Sequence, residues 1–252
     1  MIGRRRSGPD PQFPYLTEYD RFRFPSPENS PEWIVAVGGN LSPGMLLSAY
    51  EQGLFPWYGE DDPVLWQSPD PRFVILPGKL HISRSMEKIF RKGIFTFALD
   101  RNFDGVIRNC GEINRSGQDG TWITGDIIQA YGEFHRLGWA HSAESYLNGR
   151  LAGGCYGVRL GNAFIGESMF SGYPNASKAA FLRLAQILFA DDLAFIDCQV
   201  HTEHLESLGG EDISRKDYLK LLRKALAERE RRQEHSDRLD RRGNWGDLYG
   251  IC

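Results

Sequence analysis

The chain of 252 residues carries a net charge of −3, with 41% hydrophobic and 25% charged residues. This is an ordinary globular composition, long enough for one large domain or for a small domain beside a larger one. It excludes a polycation drawn to nucleic acid by overall charge, so any nucleic-acid contact needs a local basic patch. The four cysteines, Cys110, Cys155, Cys198 and Cys252, are far apart and form no C-x-x-C pair, which argues against a zinc site or a disulfide framework. Free thiols in apolar runs fit a reducing cytosol. The basic start, MIGRRRSGPDPQ, lacks the apolar core of a signal peptide, and no run approaches the ~18 apolar residues of a membrane span.

In chain order, residues 1–12 read as a flexible leader. Residues 13–33, with Phe24-Pro25-Ser26-Pro27 and Pro31-Glu32-Trp33, read as irregular backbone tied down by aromatic burial. Ile34 to Gly39 predicts a short strand or turn. Ser42 and Pro43 open a helix that Gly53 stops. Leu54 to Tyr58 reads as an aromatic loop, and Trp66 with Ser68-Pro-Asp-Pro-Arg72 as a rigid connection, with a domain boundary near residue 70. The expected division is a small N-terminal domain over 13–70, a larger domain over 71–230, and a charged, disordered tail from 231.

Beyond that boundary, Phe73 to Leu76 predicts a strand, and Ser83 caps a helix to about Lys92. On it Met86, Ile89 and Phe90 take one face, and Arg84, Lys88 and Arg91 recur at i, i+4, i+7 on the other. A strand over Phe95–Leu99, a helix over Asp104–Cys110, a loop over Gly117–Gly120 and a helix over Gly125–Leu137 follow. His141–Leu147, Leu151–Arg159 and Ala163–Ser168 then predict a meander, joined at Asn148-Gly149 and Gly161-Asn162. A helix to Phe189, a strand over Leu193–Val200 and a helix capped by Ser214 with Asp217 complete the pattern. Helices flanking a mixed, mostly antiparallel sheet make the fold α+β.

Chemistry concentrates where carboxylates interrupt apolar strands: Glu167 in Gly-Glu-Ser-Met-Phe-Ser171, and Asp197 in Phe195-Ile-Asp-Cys-Gln-Val200. Burying such a charge is costly unless it is paired or working. By alternation Asp197 and Gln199 share one strand face. A Glu–Asp–Gln cluster can bind a cation, manage an amine proton or form a structural hydrogen-bond network, and spacing leaves all three open. Phe181, Leu184 and Leu188, at i, i+3, i+7, line a pocket with Phe164 and Met169 or simply build core. The basic face of Arg84, Lys88, Arg91 and Lys92 tracks phosphates or is only solvated. Trp57 and Trp122 stack on a base or plug a domain junction. His201 and His204 lack a third ligand, so no metal site is expected there.

Taken together the segments resemble the bacterial leucyl/phenylalanyl-tRNA–protein transferases. The matching stretches include Gly38-Gly-Asn-Leu-Ser-Pro43, Ala49-Tyr50, Gly53-Leu-Phe-Pro-Trp57, Leu65-Trp-Gln-Ser-Pro-Asp-Pro-Arg72, His81-Ile-Ser-Arg-Ser-Met86, Thr121-Trp-Ile-Thr124 and Ala130-Tyr131. They continue through Gly166–Ser171, Ala176-Ser-Lys178, Ile196–Val200, His204 and Ser207-Leu-Gly209, in the family's order over roughly residues 22–222. The resemblance implies a small domain packed on an N-acetyltransferase-like (GNAT) domain. It implies transfer of Leu or Phe, less readily Met, from aminoacyl-tRNA to proteins with N-terminal Arg or Lys, creating a degradation signal. It further implies a cytoplasmic monomer that uses neither metal nor coenzyme. In it Asp197 with Gln199 would orient the attacking amine and help its proton leave, Glu167 would lie near the acceptor's cationic side chain or the amine itself, and Trp57 and Trp122 would hold the terminal adenosine. Cys155, Phe164, Met169, Phe181, Leu184, Leu188 and Ile196 would form the aminoacyl pocket, and Arg84, Lys88, Arg91 and Lys92 would lie along the tRNA backbone. Asn40 stands where the family usually has Asp, Gln67 where it has Trp, Ser145-Tyr146 where it has Val-Trp, and Cys155 where it has Met. An acyl-CoA-dependent acetyltransferase would need a glycine-rich loop at the helix after the meander; Ser171-Gly-Tyr-Pro-Asn-Ala-Ser177 offers one glycine.

Overall fold

Aromatic residues and prolines organise the N-terminal part of the computed structural model, which describes residues 7–113 and 121–233. Phe13, Phe22, Phe24 and Trp66 pack ring against ring in succession, and this stack ties the irregular opening segment to a small sheet. That sheet is antiparallel, with β1 (Ile34–Val37), β3 (Leu65–Gln67) and β2 (Phe55–Pro56) side by side in that order. Helix α1 (Pro43–Glu51) lies between β1 and β2 in the chain and is buried along almost its whole length. Ser42 occupies its N-cap position but uses its hydroxyl on the Leu16 N–H and on Asn40 Oδ1. Asn40 donates through Nδ2 to the carbonyls of Phe13 and Pro14, a task that an Asp carboxylate could not perform. Gly53 ends the helix at φ +82°, where a Cβ would stand 2.4 Å from Leu219 Cδ2, so glycine is required twice over.

Two expectations for this part are corrected. Residues 7–12 are not a free leader, because Gly8 N–H bonds Asp62 O and Asp10 N–H bonds Gly39 O; residues 1–6 lie outside the described residues. The segments read as an aromatic loop and a rigid connection supply β2 and β3, strands too short to show a period.

The larger part is a seven-stranded sheet in the order β10-β4-β9-β8-β7-β6-β5, built from β4 (Arg72–Ile75), β5 (Thr96–Leu99), β6 (Ala140–Leu147), β7 (Arg150–Leu160), β8 (Ala163–Ser171), β9 (Phe195–Gln199) and β10 (Glu211–Ile213). Every neighbouring pair is antiparallel except β8–β9. The meander forms as expected: Asn148 and Gly149 both take positive φ in the turn between β6 and β7, the requirement of a tight mirror-image hairpin turn. Between the strands come α2 (Arg84–Arg91), α3 (Phe103–Glu112), α4 (Gly125–Arg136), α5 (Ala176–Ala190), the single turn α6 (Glu203–Glu206) and α7 (Arg215–Gln233). Ser83 Oγ caps α2 through the Met86 N–H, and Ser214 Oγ caps α7 through the Asp217 N–H.

Strand alternation divides the core in two. Val74, Tyr156, Ile165 and Phe195 point into one hydrophobic cluster with α1, α3, α4 and α7. Their chain neighbours Ile75, Cys155, Phe164 and Ile196 point into a second with α2 and α5. The short β10 and α6 were not expected, since three or four residues carry no periodicity. Helix α7 runs to Gln233, beyond the residue 231 at which the disordered tail was expected to begin; 234–252 and the loop expected at Gly117–Gly120 lie outside the described residues.

Candidate active site

Two irregularities in adjacent strands create the site. On β8, Ser168 pairs with Tyr156 and Gly166 with Gly157, so Glu167 is the extra residue of a bulge. On β9, Asp197 pairs with Val74 and Gln199 with Phe73, so Cys198 is likewise extra. Bulges re-aim side chains and interrupt pairing. The parallel β8–β9 ladder accordingly stops at Ile165–Asp197, and past that point the strands part. A cavity of about 570 Å³ fills the gap, with Gly166 to Met169 on one side and Cys198 to Thr202 on the other.

Glu167 forms the polar end of this cavity. Its Oε1 accepts from Tyr50 OH at 2.8 Å and from Gln199 Nε2 at 3.0 Å, and its Oε2 takes a longer contact of 3.3 Å from Tyr131 OH. The two tyrosine hydroxyls also touch each other, and with one proton apiece a bond between them leaves only one of them donating to Glu167. Burial raises the Glu167 carboxyl to about 7, because desolvation outweighs the opposing hydrogen bonds from the two tyrosines. Burial likewise raises both tyrosines well above their ordinary range, so they remain donors. The group therefore exchanges its proton near neutrality while its Oε2 keeps capacity for a further partner.

Asp197 is placed differently. It is fully buried and absent from the cavity wall. Arg72 grips it with two bonds, Nε to Oδ1 at 2.9 Å and Nη2 to Oδ2 at 2.7 Å. Tyr218 OH donates to Oδ2 at 2.8 Å and the Gln199 backbone N–H to Oδ1 at 2.8 Å. Four donors fill the roughly four acceptor sites of a carboxylate. The Arg72 guanidinium lies between the rings of Phe55 and Tyr218, at 4.7 and 4.4 Å. Asp197 and Gln199 keep the expected shared face, on the side of the sheet where Tyr50, Tyr131 and Tyr218 pack, with Ile196 and Cys198 on the other; they differ in partner and depth, Asp197 turning to Arg72 and Tyr218 and Gln199 to Glu167 at the cavity.

Among the expected pocket residues, Cys155, Phe164, Met169 and Phe181 line the cavity, joined by Cys198 and Leu205. Leu184, Leu188 and Ile196 do not reach it; they are buried in the second core cluster with Phe164 and Phe181. Trp57 and Trp122 both line the cavity, and Gln67 holds the Trp57 carbonyl through Nε2 at 2.7 Å. Burial pushes the Cys155 and Cys198 thiols upward, which leaves them protonated and poor nucleophiles. Arg84, Lys88 and Arg91 on α2 and Lys92 at its C-cap are all exposed, outside the cavity, and make no ion pair with the described residues. Among the described residues no group of three or more His, Cys, Asp or Glu is placed to hold a metal, and no helix is long and apolar enough to cross a membrane.

Sequence reasoning about chemistry passed over Arg72, Tyr50, Tyr131 and Tyr218. The first three stand inside the stretches that carry the resemblance, which was the available signal. Tyr218 sits on α7 at a position that reads as ordinary helix core.

Residues 39–70 match the family described as the leucyl/phenylalanyl-tRNA protein transferase N-terminal domain, and residues 74–223 match the leucyl/phenylalanyl-tRNA protein transferase itself. The leucyl/phenylalanyl-tRNA–protein transferase of Anaeromyxobacter sp. (strain Fw109-5) is 49% identical over 223 residues, 88% of this chain and 91% of the relative. That of Myxococcus xanthus (strain DK1622) is 49% identical over 210 residues, covering 83% and 90%. A solved GCN5-related N-acetyltransferase from Kribbella flavida is similar at a TM-score of 0.36 and 10% identity, over 69% of this chain and 62% of that one. Two consecutive family matches and identity of this extent leave one assignment: the chain belongs to the leucyl/phenylalanyl-tRNA–protein transferase family.

Proposed function

We propose that the chain transfers leucine or phenylalanine, less readily methionine, from aminoacyl-tRNA to the α-amine of proteins that begin with Arg or Lys, and that the product marks those proteins for degradation. In this reading it acts in the cytoplasm as a monomer. The observation that carries the proposal is the cavity, which puts an apolar slot (Cys155, Phe164, Met169, Phe181) beside a carboxyl of near-neutral pKa, Glu167.

The donor amino acid's side chain enters the slot, where a charged side chain would lose hydration without compensation. Such a slot separates Leu, Phe and Met poorly, since one methylene is worth only ~1–3 kcal/mol. Trp57 and Trp122, on the same cavity, offer faces for the terminal adenine. The acceptor amine approaches Glu167 and Gln199. Glu167 takes its proton; an α-ammonium titrates near 8, so a carboxylate of about 7 is a competent base. Gln199, its amide nitrogen committed to Glu167, leaves its side-chain carbonyl to accept from the same amine. Nitrogen then attacks the ester carbonyl and, now cationic, loses a second proton; the ester C–O bond breaks, one of the two protons ends on the leaving ribose oxygen and the other passes to solvent. The ester is already activated, so holding the two reactants together supplies much of the rate. Asp197 and Arg72 act behind the site, fixing the strand end that carries Gln199.

The exposed basic face of α2 suits the phosphate backbone of the acceptor stem, a contact that reads charge and not sequence. Arg84→Glu combined with Lys88→Glu is expected to weaken aminoacyl-tRNA binding about tenfold or more at low salt, with a flatter salt dependence than wild type. Filter binding across a salt series checks this, and equal affinity at low salt would remove α2 from the interface.

The decisive assay for the function is incubation with radiolabelled Leu-tRNA or Phe-tRNA and a peptide with N-terminal Arg. Label is expected in that peptide and absent from the same peptide acetylated at its N-terminus. No labelled peptide from either tRNA would end the proposal.

A further inference from the structure

The parting of the two central strands leaves β8 with an open edge. Strand β8 is paired on both sides only as far as Ile165; from Gly166 to Ser171 it is paired with β7 alone, and no strand of the described residues lies on its other side. The cause is in β9. Gln199 takes φ +65°, and the Val200 N–H turns back to the Cys198 carbonyl at 2.8 Å, so the chain leaves the sheet in a tight turn. A left-handed glutamine is strained backbone of the kind that collects at binding sites. Gly166, Ser168 and Met169 are half-exposed and line the cavity, so this edge is reached from solvent. Backbone groups of alternate residues point to such an edge, an arrangement that takes up another strand.

We propose that this edge binds the acceptor protein: its first residues add to β8 as an extended strand, in the place β9 vacates and in β9's direction. This rests on the aminoacyl-transfer reading. The amine fixes where the added strand begins, because Glu167, which receives it, is the bulged residue at the head of the open stretch. Beyond it the strands part toward Ser171, so an extended chain leaves parallel to β8, as β9 lies up to Asp197. The six residues from Gly166 to Ser171 span about 20 Å, room for several acceptor residues. A cavity of about 570 Å³ admits no folded acceptor, so the end that enters has to be extended. The occupant also follows from what the reaction demands. An enzyme that reads a protein's first residue has to hold a stretch of variable sequence behind it. Main-chain hydrogen bonds hold nearly any sequence, with proline the exception, whereas side-chain pockets would select. The donor, in the same reading, takes the apolar slot and the two tryptophans, which leaves the β8 edge to the acceptor.

The test uses the wild-type protein, Leu-tRNA and a hexapeptide beginning with Arg. The peptide is compared in its parent form and with the backbone amide of its second, third or fourth residue methylated, one at a time. Successive amides of a strand point to opposite sides, so the expected result alternates. Either the third position alone or the second and fourth together lose about fivefold or more in kcat/KM, and the others stay near the parent value. An ester in place of a sensitive amide removes the N–H without adding bulk and should reproduce the loss. Parent values throughout, equal losses at all three positions, or an ester that behaves like the parent would overturn the proposal. Hydrogen exchange gives a second readout. The parent peptide without tRNA should slow amides within Gly166–Ser171 and leave those of the outer strands β5 and β10 unchanged. No slowing at saturation would count against strand addition. Slowing by a leucyl-adenosine amide but not by the peptide would give the edge to the donor and overturn the proposal. Failure of the transfer reading is a different result: the parent peptide itself would stay unlabelled.

Discussion

Asp197→Ala is expected to destabilise the protein by about 3–5 kcal/mol, the cost of leaving one member of a buried ion pair without its partner. The carboxylate is fully buried and holds four donors. Its removal strands a guanidinium that is itself only 1% exposed, together with the Tyr218 hydroxyl and the Gln199 N–H. For a chain of this size the loss corresponds to a fall in Tm of roughly 10 °C. Arg72→Met with Asp197→Leu should recover most of the stability, since a buried ion pair contributes little net over an apolar replacement. Thermal melts of the single and double variants check this. An Asp197→Ala protein that melts like wild type but transfers nothing would contradict the positioning role and return Asp197 to the chemistry.

Glu167→Gln is expected to lower the transfer rate by about 10²-fold or more, the usual worth of a positioned general base. The substitution preserves size and leaves an acceptor for Tyr50 OH. In the wild type the rate should rise with pH as Glu167 loses its proton near 7, and the variant should lose that limb, keeping only the titration of the acceptor amine. Stability should run the other way. The folded-state pKa of about 7 lies above the ordinary 4.5, so the group's contribution is fully present below pH 4.5 and is lost as pH rises through 7. Glu167→Gln should therefore gain in Tm relative to wild type at pH 8 and not at pH 4. A variant with the wild-type pH–rate profile would exclude Glu167 as the base.

Most of the scaffold was legible because its elements are long enough to show a period and carry caps: the meander with its Asn148-Gly149 turn, α2 with Ser83, and α7 with Ser214 and Asp217. The small N-terminal sheet was not, since β2 and β3 have two and three residues and their partners are set by aromatic packing. At the site, the interrupting carboxylates marked the place and alternation put Asp197 and Gln199 on one face, but it did not reveal their different partners and depths. A bulge adds one residue to a strand and leaves no mark in composition, so the parting of β8 and β9 that opens the cavity could not be read from spacing. Leu184 and Leu188 illustrate a second limit. One helix face carries both cavity lining and core, and only depth distinguishes Phe181 from the two leucines beyond it.

The central claim is that the gap between the two bulged strands is where amine and ester meet. A crystal structure with a non-hydrolysable leucyl- or phenylalanyl-adenosine amide tests it most directly. The account predicts the amino-acid side chain against Cys155, Phe164, Met169 and Phe181, adenine against Trp57 or Trp122, and the carbonyl facing the Glu167–Gln199 pair. An analogue bound elsewhere, or seated with its side chain in solvent and its carbonyl turned away from the Glu167–Gln199 pair, would contradict it.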